Sequence, residues 1–344
     1  MQLGAFVLIL GIPDGSLGVL WPSMRATFHL PLDDLGLLGF AGTVLYMAGG
    51  LIGNRAQAVL GVGGSMIASC AVAVVALAAW TVSPAWVLLL GAVGLLGLSR
   101  GVIDAVLNAD AALDGGVRRL GLLHASWAVG GTIGPLLVAA VLAFSHDWRL
   151  AVAITAAAVV ALLPVAVAER RALNRARDVA PERALPPAAL LPPRQPRRPR
   201  RALVLTVVAF VLYTAAESGP VAWGYTYLIS DRHISHTAAA FAMALFWAAL
   251  TAGRLALAAV GSRFSPTGIV EVSCLLLVAG TAMLWLLPGA SDVLGLPVAG
   301  AGAAAVFPML MALIPERIGE HRTGHAVGAS ISAAALGGPV AVAA

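Results

Sequence analysis

Apolar stretches of about twenty residues alternate with short polar or turn-forming segments along most of the chain. A helix needs ~20 largely apolar residues to cross the ~30 Å hydrocarbon core of a bilayer, because each helical residue adds ~1.5 Å. The pattern therefore predicts eleven membrane-spanning helices. They fall near residues 3–24, 35–54, 60–80, 85–108, 120–144, 149–168, 203–229, 237–260, 267–287, 293–314 and 324–344. The first span carries Asp14 and Pro22 and has no small-residue cleavage site, so we expect it to be retained.

The composition also favours an all-α polytopic membrane protein. Of the 344 residues, 60% are hydrophobic and 11% are charged, and the mean hydropathy is +0.93. A soluble domain carries roughly 25% charged residues, so most of this outer surface must contact lipid. Cys70 and Cys274 lie in apolar runs without paired spacing. Because no zinc spacing, phosphate-binding glycine loop or nucleophile elbow occurs, we expect no cofactor, no metal and no enzymatic activity.

The basic residues, all of them arginine, separate between alternate loops. One set of loops, to which Arg254 is assigned, holds 17 of the 21, and the other holds Arg25, Arg149 and Arg232. Cytoplasmic loops of membrane proteins carry the excess of basic residues, so the N-terminus and the long loop are predicted to be cytoplasmic and the protein to lie in the cell membrane. The net charge of +5 therefore reflects topology, and we expect no nucleic-acid partner.

The segment 169–202, rich in Pro and Arg, divides the chain into two halves. It is predicted to be a solvated linker that contacts anionic lipid headgroups, between an N-terminal six-helix bundle (1–168) and a C-terminal bundle (203–344). The halves resemble each other: Asp14 and Glu217, or His124 and His325, are about 200 residues apart. This repeat predicts a duplicated six-helix unit, and hence a twelfth helix that the chain does not contain.

Four stretches resemble a known transporter family. They are Gly11–Pro22, Gly101–Asn108, Leu123–Pro135 and Glu217–Leu228. With six plus six helices around a basic loop, the sequence is similar to the major facilitator superfamily and looks most like its fucose-permease-like branch of sugar:proton symporters. The resemblance implies two pseudo-symmetric six-helix bundles, alternating access and an acidic cavity residue at Asp104. The chain departs from the family pattern at Asn54, where the loop between the second and third helices usually has Asp. It also departs from the sugar-permease branch at Arg100, because an arginine in the fourth helix resembles drug:proton antiporters instead.

The first candidate site residues lie in the first and fourth spans. Asp14 falls near the bilayer midplane, where an ionised carboxylate costs about 2.5–3.5 kcal/mol, so it must pair, take a proton or face a wet cavity. Trp21 follows two turns later as an aromatic platform. Arg100, Asp104 and Asn108 form one stripe at a spacing of four. The stripe is either a neutralised structural pair or one wall of a wet cavity, and the second alternative is favoured.

The second half supplies the remaining candidates for substrate or proton binding. Glu217 precedes Gly219-Pro220, which is expected to break the helix near the midplane, and Trp223 and Tyr227 follow it. Either binding or packing at the kink would explain this group. Trp127 and Trp247 are predicted to line the cavity or to pack between helices, whereas Trp80 and Trp86 are expected to anchor helix ends at the membrane interface. Candidate gating residues are Asn54, Arg55 and His124.

These residues predict a secondary active transporter that binds a small polar or amphipathic solute between the halves. Asp14, Asp104 and Glu217 are the candidates for proton coupling. The expected partners are the lipid bilayer, a small-molecule substrate and protons, and we expect a monomer. The alternatives are drug:proton efflux, which Arg100 supports, and a transport-inactive receptor or intramembrane enzyme, which would need a soluble signalling domain or a clustered His/Asp or Ser/His site.

Overall fold

The computed structural model describes residues 2–31, 34–179, 199–287 and 293–338, and every long element in these ranges is an α-helix. The side chains of Asp14 and Trp223, and residues 180–198 of the predicted linker, lie outside the described part. The helices are α1 (Gln2–Phe28), α2 (Asp34–Val82), α3 (Trp86–Asp110), α4 (Gly116–Ser145), α5 (Trp148–Val179), α6 (Pro199–Ser230), α7 (His236–Val260), α8 (Pro266–Leu286), α9 (Gly295–Ala312), α10 (Ile314–Ile318) and α11 (Thr323–Ala334).

Seven helical segments of the described chain are long and apolar enough to cross a membrane by length and composition. The longest is α2, whose 49 residues exceed what one crossing needs. The prediction of an all-helical polytopic membrane protein is confirmed.

The chain reverses within α2 at Gly61, which has φ +68°. The contacts of α3 show the reversal: Gly101 packs on the Tyr46 carbonyl, while the Ser99 hydroxyl donates to the Ser69 carbonyl over 2.7 Å. In a straight helix Tyr46 and Ser69 would be about 35 Å apart, so neighbouring residues of α3 could not reach both. The turn predicted at Asn54 therefore lies farther along the chain, because glycine adopts positive φ without a Cβ clash.

A second reversal joins α3 to α4 through a π-helical turn, Ala111–Gly115. Asn108 hydrogen-bonds His124 and Arg119 pairs with Asp110 across it, so the two helices run antiparallel. We call the segment Asn108–Ala125 the α3–α4 tip.

The helices form two compact units. Unit 1 comprises Met1–Leu107 and Ser126–Gln195, and unit 2 comprises Asn108–Ala125 and Pro196–Ala344. The α3–α4 tip is thus part of unit 2. A Cβ added at its Gly121 would lie 2.9 Å from the Ala258 nitrogen, so the tip packs closely on α7.

The same helix-packing contacts recur in both units at a separation of about 200 residues. Gly101 packs on the Tyr46 carbonyl in unit 1, and Gly300 packs on the Phe246 carbonyl in unit 2. Likewise a Cβ at Gly53 would lie 2.6 Å from Cβ of Ala105, and one at Gly253 would lie 2.5 Å from Cβ of Ala304. Small residues let membrane helices approach closely, so α2–α3 and α7–α9 are equivalent helix pairs.

Two helix boundaries differ from the sequence-based expectation. Helix α5 continues to Val179, beyond the predicted boundary at 168, because its Ala-, Arg- and Glu-containing end favours a helix. Helix α6 runs through Pro220 without the break predicted there. A single proline removes one backbone donor, and membrane helices tolerate this where neighbouring groups satisfy the freed carbonyl.

Candidate functional site

Unit 1 contains a polar cluster between α2 and α3. The Tyr46 hydroxyl donates a hydrogen bond to Oδ2 of Asp104, and the Arg100 guanidinium lies 5.8 Å from the centre of the Tyr46 ring. Arg100 and Asp104 are one turn apart on α3, so all three side chains meet on one side of that helix. A hydrogen bond from a neutral donor and a nearby cation both stabilise a carboxylate inside an apolar bundle.

A cavity of about 250 Å³ adjoins this cluster within unit 1. One of its wall residues is Trp80, whose side chain is 3% exposed and whose Nε1 has no hydrogen-bond acceptor among the described residues. This indole therefore lies inside the unit, contrary to the predicted anchoring role. The described wall consists of Pro13, Leu17, Leu38, Gly39, Gly42, Thr43, Tyr46, Trp80, Val93, Leu96, Gly97 and Arg100.

Unit 2 contains a second polar cluster, between α6 and α7. Glu217 Oε1 lies 3.6 Å from a terminal nitrogen of Arg254, whose side chain is 4% exposed against 22% for Glu217. The buried Tyr213 hydroxyl, one turn earlier on α6, donates to the Ala303 carbonyl over 2.8 Å. Arg254 thus lies inside α7 and not in the loop to which its charge assigns it. It neutralises the carboxylate that the sequence places mid-membrane.

The α3–α4 tip adds a buried polar pair to unit 2. His124 Nε2 lies 3.1 Å from Oδ1 of Asn108, and its ring meets the edge of Phe307 at 5.0 Å. Asn108 is fully buried. The three residues of the predicted stripe on α3 therefore belong to different units. Arg100 and Asp104 are part of unit 1, and Asn108 is part of unit 2.

Other predicted site residues have different neighbours. The Tyr227 hydroxyl accepts from Nε of Arg232, which also donates to carbonyls at the end of α8. Ten residues of helix separate Tyr227 from Glu217, about 15 Å, so the two are not brought together. Trp247 is partly exposed and packs edge-on against Phe246.

The remaining candidates lie in unit 1. Trp21 is buried with its ring centre 5.9 Å from that of Trp86, so its described aromatic neighbour is another indole. Trp127 is half-buried on α4. Asn54 and Arg55 are exposed on α2, before the reversal at Gly61. The structure does not bring either of these gating candidates to the polar cluster.

No binding role is predicted from the sequence for Tyr46, Trp80 or Arg254. For Arg254 the sequence does contain a usable signal, because an arginine followed by six apolar or small residues inside a span needs a counterion. Glu217, a mid-span acid, is a candidate for that counterion. Tyr46 stands in a glycine-rich span whose only other polar side chain is Thr43 between Phe40 and Asn54. The burial of Trp80 depends on packing and leaves no such signal.

Among the described residues, no group of His, Cys, Asp and Glu is suited to hold a metal ion. Each of the two units holds a mid-helix acid in a polar cluster, Asp104 in unit 1 and Glu217 in unit 2. The sequence profile of the Major Facilitator Superfamily matches residues 3–342. The chain belongs to this superfamily. Its members are transporters, and acids inside apolar membrane helices are typical of ion or substrate pathways.

Individual relatives are distant. The yeast (Saccharomyces cerevisiae) Bypass of stop codon protein 6 is 23% identical over 279 residues, which is 75% of this chain and 56% of that protein. The chain thus spans little more than half of this relative's length. A crystal structure of the transporter FucP in the outward conformation superposes with a TM-score of 0.76 at 16% identity, covering 99% of this chain and 89% of FucP. The proton:xylose symporter XylE gives 0.70 at 15% identity, covering 99% and 85%. These likenesses show the fold.

Proposed function

We propose that this superfamily member is a secondary active transporter that moves a small polar or amphipathic solute by alternating access, coupled to protons. The observation that carries the proposal is the pair of polar clusters, one per unit, each with an acid among apolar helices. Charged groups inside membrane segments are costly and mark ion or substrate pathways. Asp104 and Glu217 are the proposed proton sites, with Asp14 as a third.

The two acids are held differently, which suits a cycle of loading and release. Asp104 accepts a hydrogen bond from Tyr46, whereas Glu217 pairs with Arg254. A proton that reaches either carboxylate removes its negative charge and weakens these contacts. We propose that such a change is linked to the alternating exposure of the solute site, in a cell membrane with the N-terminus in the cytoplasm.

A sugar is one candidate solute. FucP is a fucose:proton symporter of E. coli and XylE a proton:xylose symporter, and both share the fold of this chain. Drug:proton antiport is the second candidate, which Arg100 favours because it places a cation beside Asp104 in the fourth span. The direction of coupled proton movement separates the two.

Counterflow in liposomes tests the transport proposal. Purified protein is reconstituted, and labelled sugars and cationic dyes are supplied with an imposed pH gradient of either sign. We expect one class to be accumulated, and the gradient to drive it. Asp104→Asn keeps an oxygen that can accept from Tyr46 but cannot take up the proton, so it should transport with little response to the gradient.

The matched control is Asp231→Asn, which removes an exposed acid after α6. It should leave both the rate and the response to pH unchanged. Rates are compared per folded protein, measured by thermal unfolding in detergent. Accumulation that ignores the gradient in the unmodified protein would refute proton coupling, and no accumulation of any solute class would refute transport.

A further inference from the structure

The cavity in unit 1 has mainly apolar walls. Aliphatic surface comes from Pro13, Leu17, Leu38, Val93 and Leu96. The cavity volume is about 250 Å³. An apolar protein cavity of roughly 150 Å³ already holds a benzene molecule, so this one has room for a substituted ring. Ligand pockets combine mainly apolar walls with a few polar groups, and this cavity has that character.

Most of the polar side chains in the described wall are already engaged or enclosed. Tyr46 donates to Asp104, while Arg100 lies over the Tyr46 ring and has a further interaction within the protein. The indole nitrogen of Trp80 is enclosed by protein atoms, so this residue presents ring carbons to the cavity. A charged solute would lose its water here without gaining a counterion of its own, which is costly.

Thr43 differs from the other polar residues of the wall. Helical hydroxyls in this chain commonly donate to the carbonyl four residues earlier, as those of Ser65 and Thr81 do over 2.8 Å. Thr43 lines the cavity, is half-buried, and makes no such bond to any described residue. A hydroxyl can both donate and accept, so Thr43 can serve one uncharged polar group of a solute.

Gly39 keeps space open beside this hydroxyl. It is a wall residue on α2, and no atom lies within 4 Å of a Cβ built there. Gly97, also in the wall, has a different role, because its Cβ would lie 2.2 Å from the Gly42 carbonyl oxygen. Gly97 thus allows two helices to pack closely. Gly39 is not needed for packing, and a larger side chain there would occupy free volume.

We propose that this cavity binds a small uncharged molecule with an apolar ring and a single hydroxyl group, which Thr43 contacts. The inference rests on the proposed transport function, because the cavity would then be the part of the solute site that unit 1 contributes. It favours an amphipathic solute over a sugar. A sugar carries a hydroxyl on most ring carbons, and these would lose hydrogen bonds to water against aliphatic walls.

Binding to the purified full chain in lipid nanodiscs tests the inference without requiring transport. The probes are benzyl alcohol, the similarly shaped ions benzylammonium and benzoate, and xylose. Isothermal titration gives their affinities, with heats from empty nanodiscs subtracted. Burying an unpaired ion is unfavourable, so benzyl alcohol should bind at least roughly tenfold more tightly than either ion, and more tightly than xylose. Equal or tighter binding of an ion or of xylose, or no binding of benzyl alcohol, would overturn the proposal.

A pair of glycine variants locates the site. Gly39→Leu places a side chain in the free volume and should weaken benzyl alcohol binding at least roughly tenfold. The matched control is Gly36→Leu, one turn earlier on α2, at an exposed position that also has no atom within 4 Å of a built Cβ and is not a wall residue. It should bind like the unmodified protein. Equal effects of the two changes would overturn the assignment to this cavity.

A third variant tests the polar contact. Thr43→Val keeps the shape of the side chain and removes the hydroxyl. It should weaken benzyl alcohol binding about fivefold, the worth of a neutral hydrogen bond, and leave toluene binding unchanged. The same loss for both probes would overturn the contact with Thr43. The comparison of probes on the unmodified protein decides the proposal even if a variant fails to fold.

The outcomes separate this inference from the transport proposal. Binding of benzyl alcohol without counterflow of any solute would refute transport and leave the cavity assignment in place. Counterflow of a sugar, with no binding of benzyl alcohol, would leave transport in place and overturn the cavity assignment.

Discussion

The two units use the same helix contacts but carry their ionisable groups at different positions. In unit 1 the charged side chains Arg100 and Asp104 lie on α3. The positions of α9 that correspond to them, by the repeated glycine contacts, are Ala299 and Ala303, both buried. Unit 2 instead places its acid on α6 and its cation on α7.

The position of Arg254, the cation of the unit 2 cluster, also has no charged counterpart in unit 1. Arg254 directly follows Gly253, whose packing on Ala304 repeats that of Gly53 on Ala105, so its counterpart in unit 1 is Asn54. Arg254 is buried against Glu217, whereas Asn54 is exposed. Two helices can approach closely only where the contact positions carry small residues, so these positions recur in both units. A polar side chain can instead lie at any position where it finds a partner. The packing is therefore repeated and the chemistry is not.

The largest expected effect comes from dividing the ion pair of unit 2. Glu217→Gln leaves a buried guanidinium that cannot lose its charge, and removing one partner of a buried pair costs about 3–5 kcal/mol. Arg254→Met should cost less, because the remaining carboxyl can take up a proton. The double variant should recover much of the loss. Chemical unfolding in mixed micelles measures all three, and a double variant no better than Glu217→Gln would contradict the pairing.

Next come the equivalent glycines, Gly101 and Gly300. An added Cβ would collide with the Tyr46 carbonyl in one case and the Phe246 carbonyl in the other, so each change to Ala should destabilise by about 1–3 kcal/mol. Gly91→Ala is the control, because nothing lies within 4 Å of a Cβ built there. Melting temperatures in detergent check the series. Unequal losses at the two glycines would show that the contacts are not equivalent.

A smaller effect should distinguish the tyrosines of the two clusters. Tyr46 donates to a carboxylate and Tyr213 to a backbone carbonyl. Hydrogen bonds to charged groups contribute about 1.5–3 kcal/mol and neutral ones about 0.5–1.5, so Tyr46→Phe should destabilise more than Tyr213→Phe. The same unfolding assay decides the order, and the reverse order would mean that Asp104 is not held mainly by Tyr46.

The smallest effect on stability is expected at Asn54 and Arg55. Both are exposed on α2, and surface substitutions usually change stability by less than about 0.5 kcal/mol. If these residues gate the cycle, Asn54→Ala and Arg55→Ala should slow counterflow while leaving the melting temperature unchanged. Unchanged counterflow would remove them from the gating proposal.

Hydropathy is sufficient to predict an all-helical polytopic membrane protein, because each span needs a similar length of apolar helix to cross the bilayer. Turns are less accessible to such reasoning. The polar pair Asn54-Arg55 has the composition of a loop, yet it is helical, and the reversal occurs at Gly61 where the backbone takes positive φ. The expected break at Pro220 is absent for a related reason, since tertiary neighbours decide whether a membrane helix continues past proline.

The site is only partly accessible from sequence. Asp104 and Glu217 stand out because an acid is rare inside an apolar span. Their partners Tyr46 and Arg254 come from other helices, and a single sequence contains no information on which helix faces which. The assignment of arginines to loops also places Arg254 outside the membrane. In the structure Arg254 lies within α7 and pairs with the Glu217 carboxylate.

Proton movement accompanying solute entry is the most direct test of the account. In weakly buffered vesicles containing the reconstituted protein, the external pH is recorded after addition of a transported solute with no imposed gradient. Symport predicts a transient rise in external pH for the unmodified protein and for Asp231→Asn, and none for Asp104→Asn. Solute entry without a pH change, or an unaltered change in Asp104→Asn, would contradict a proton site at the unit 1 cluster.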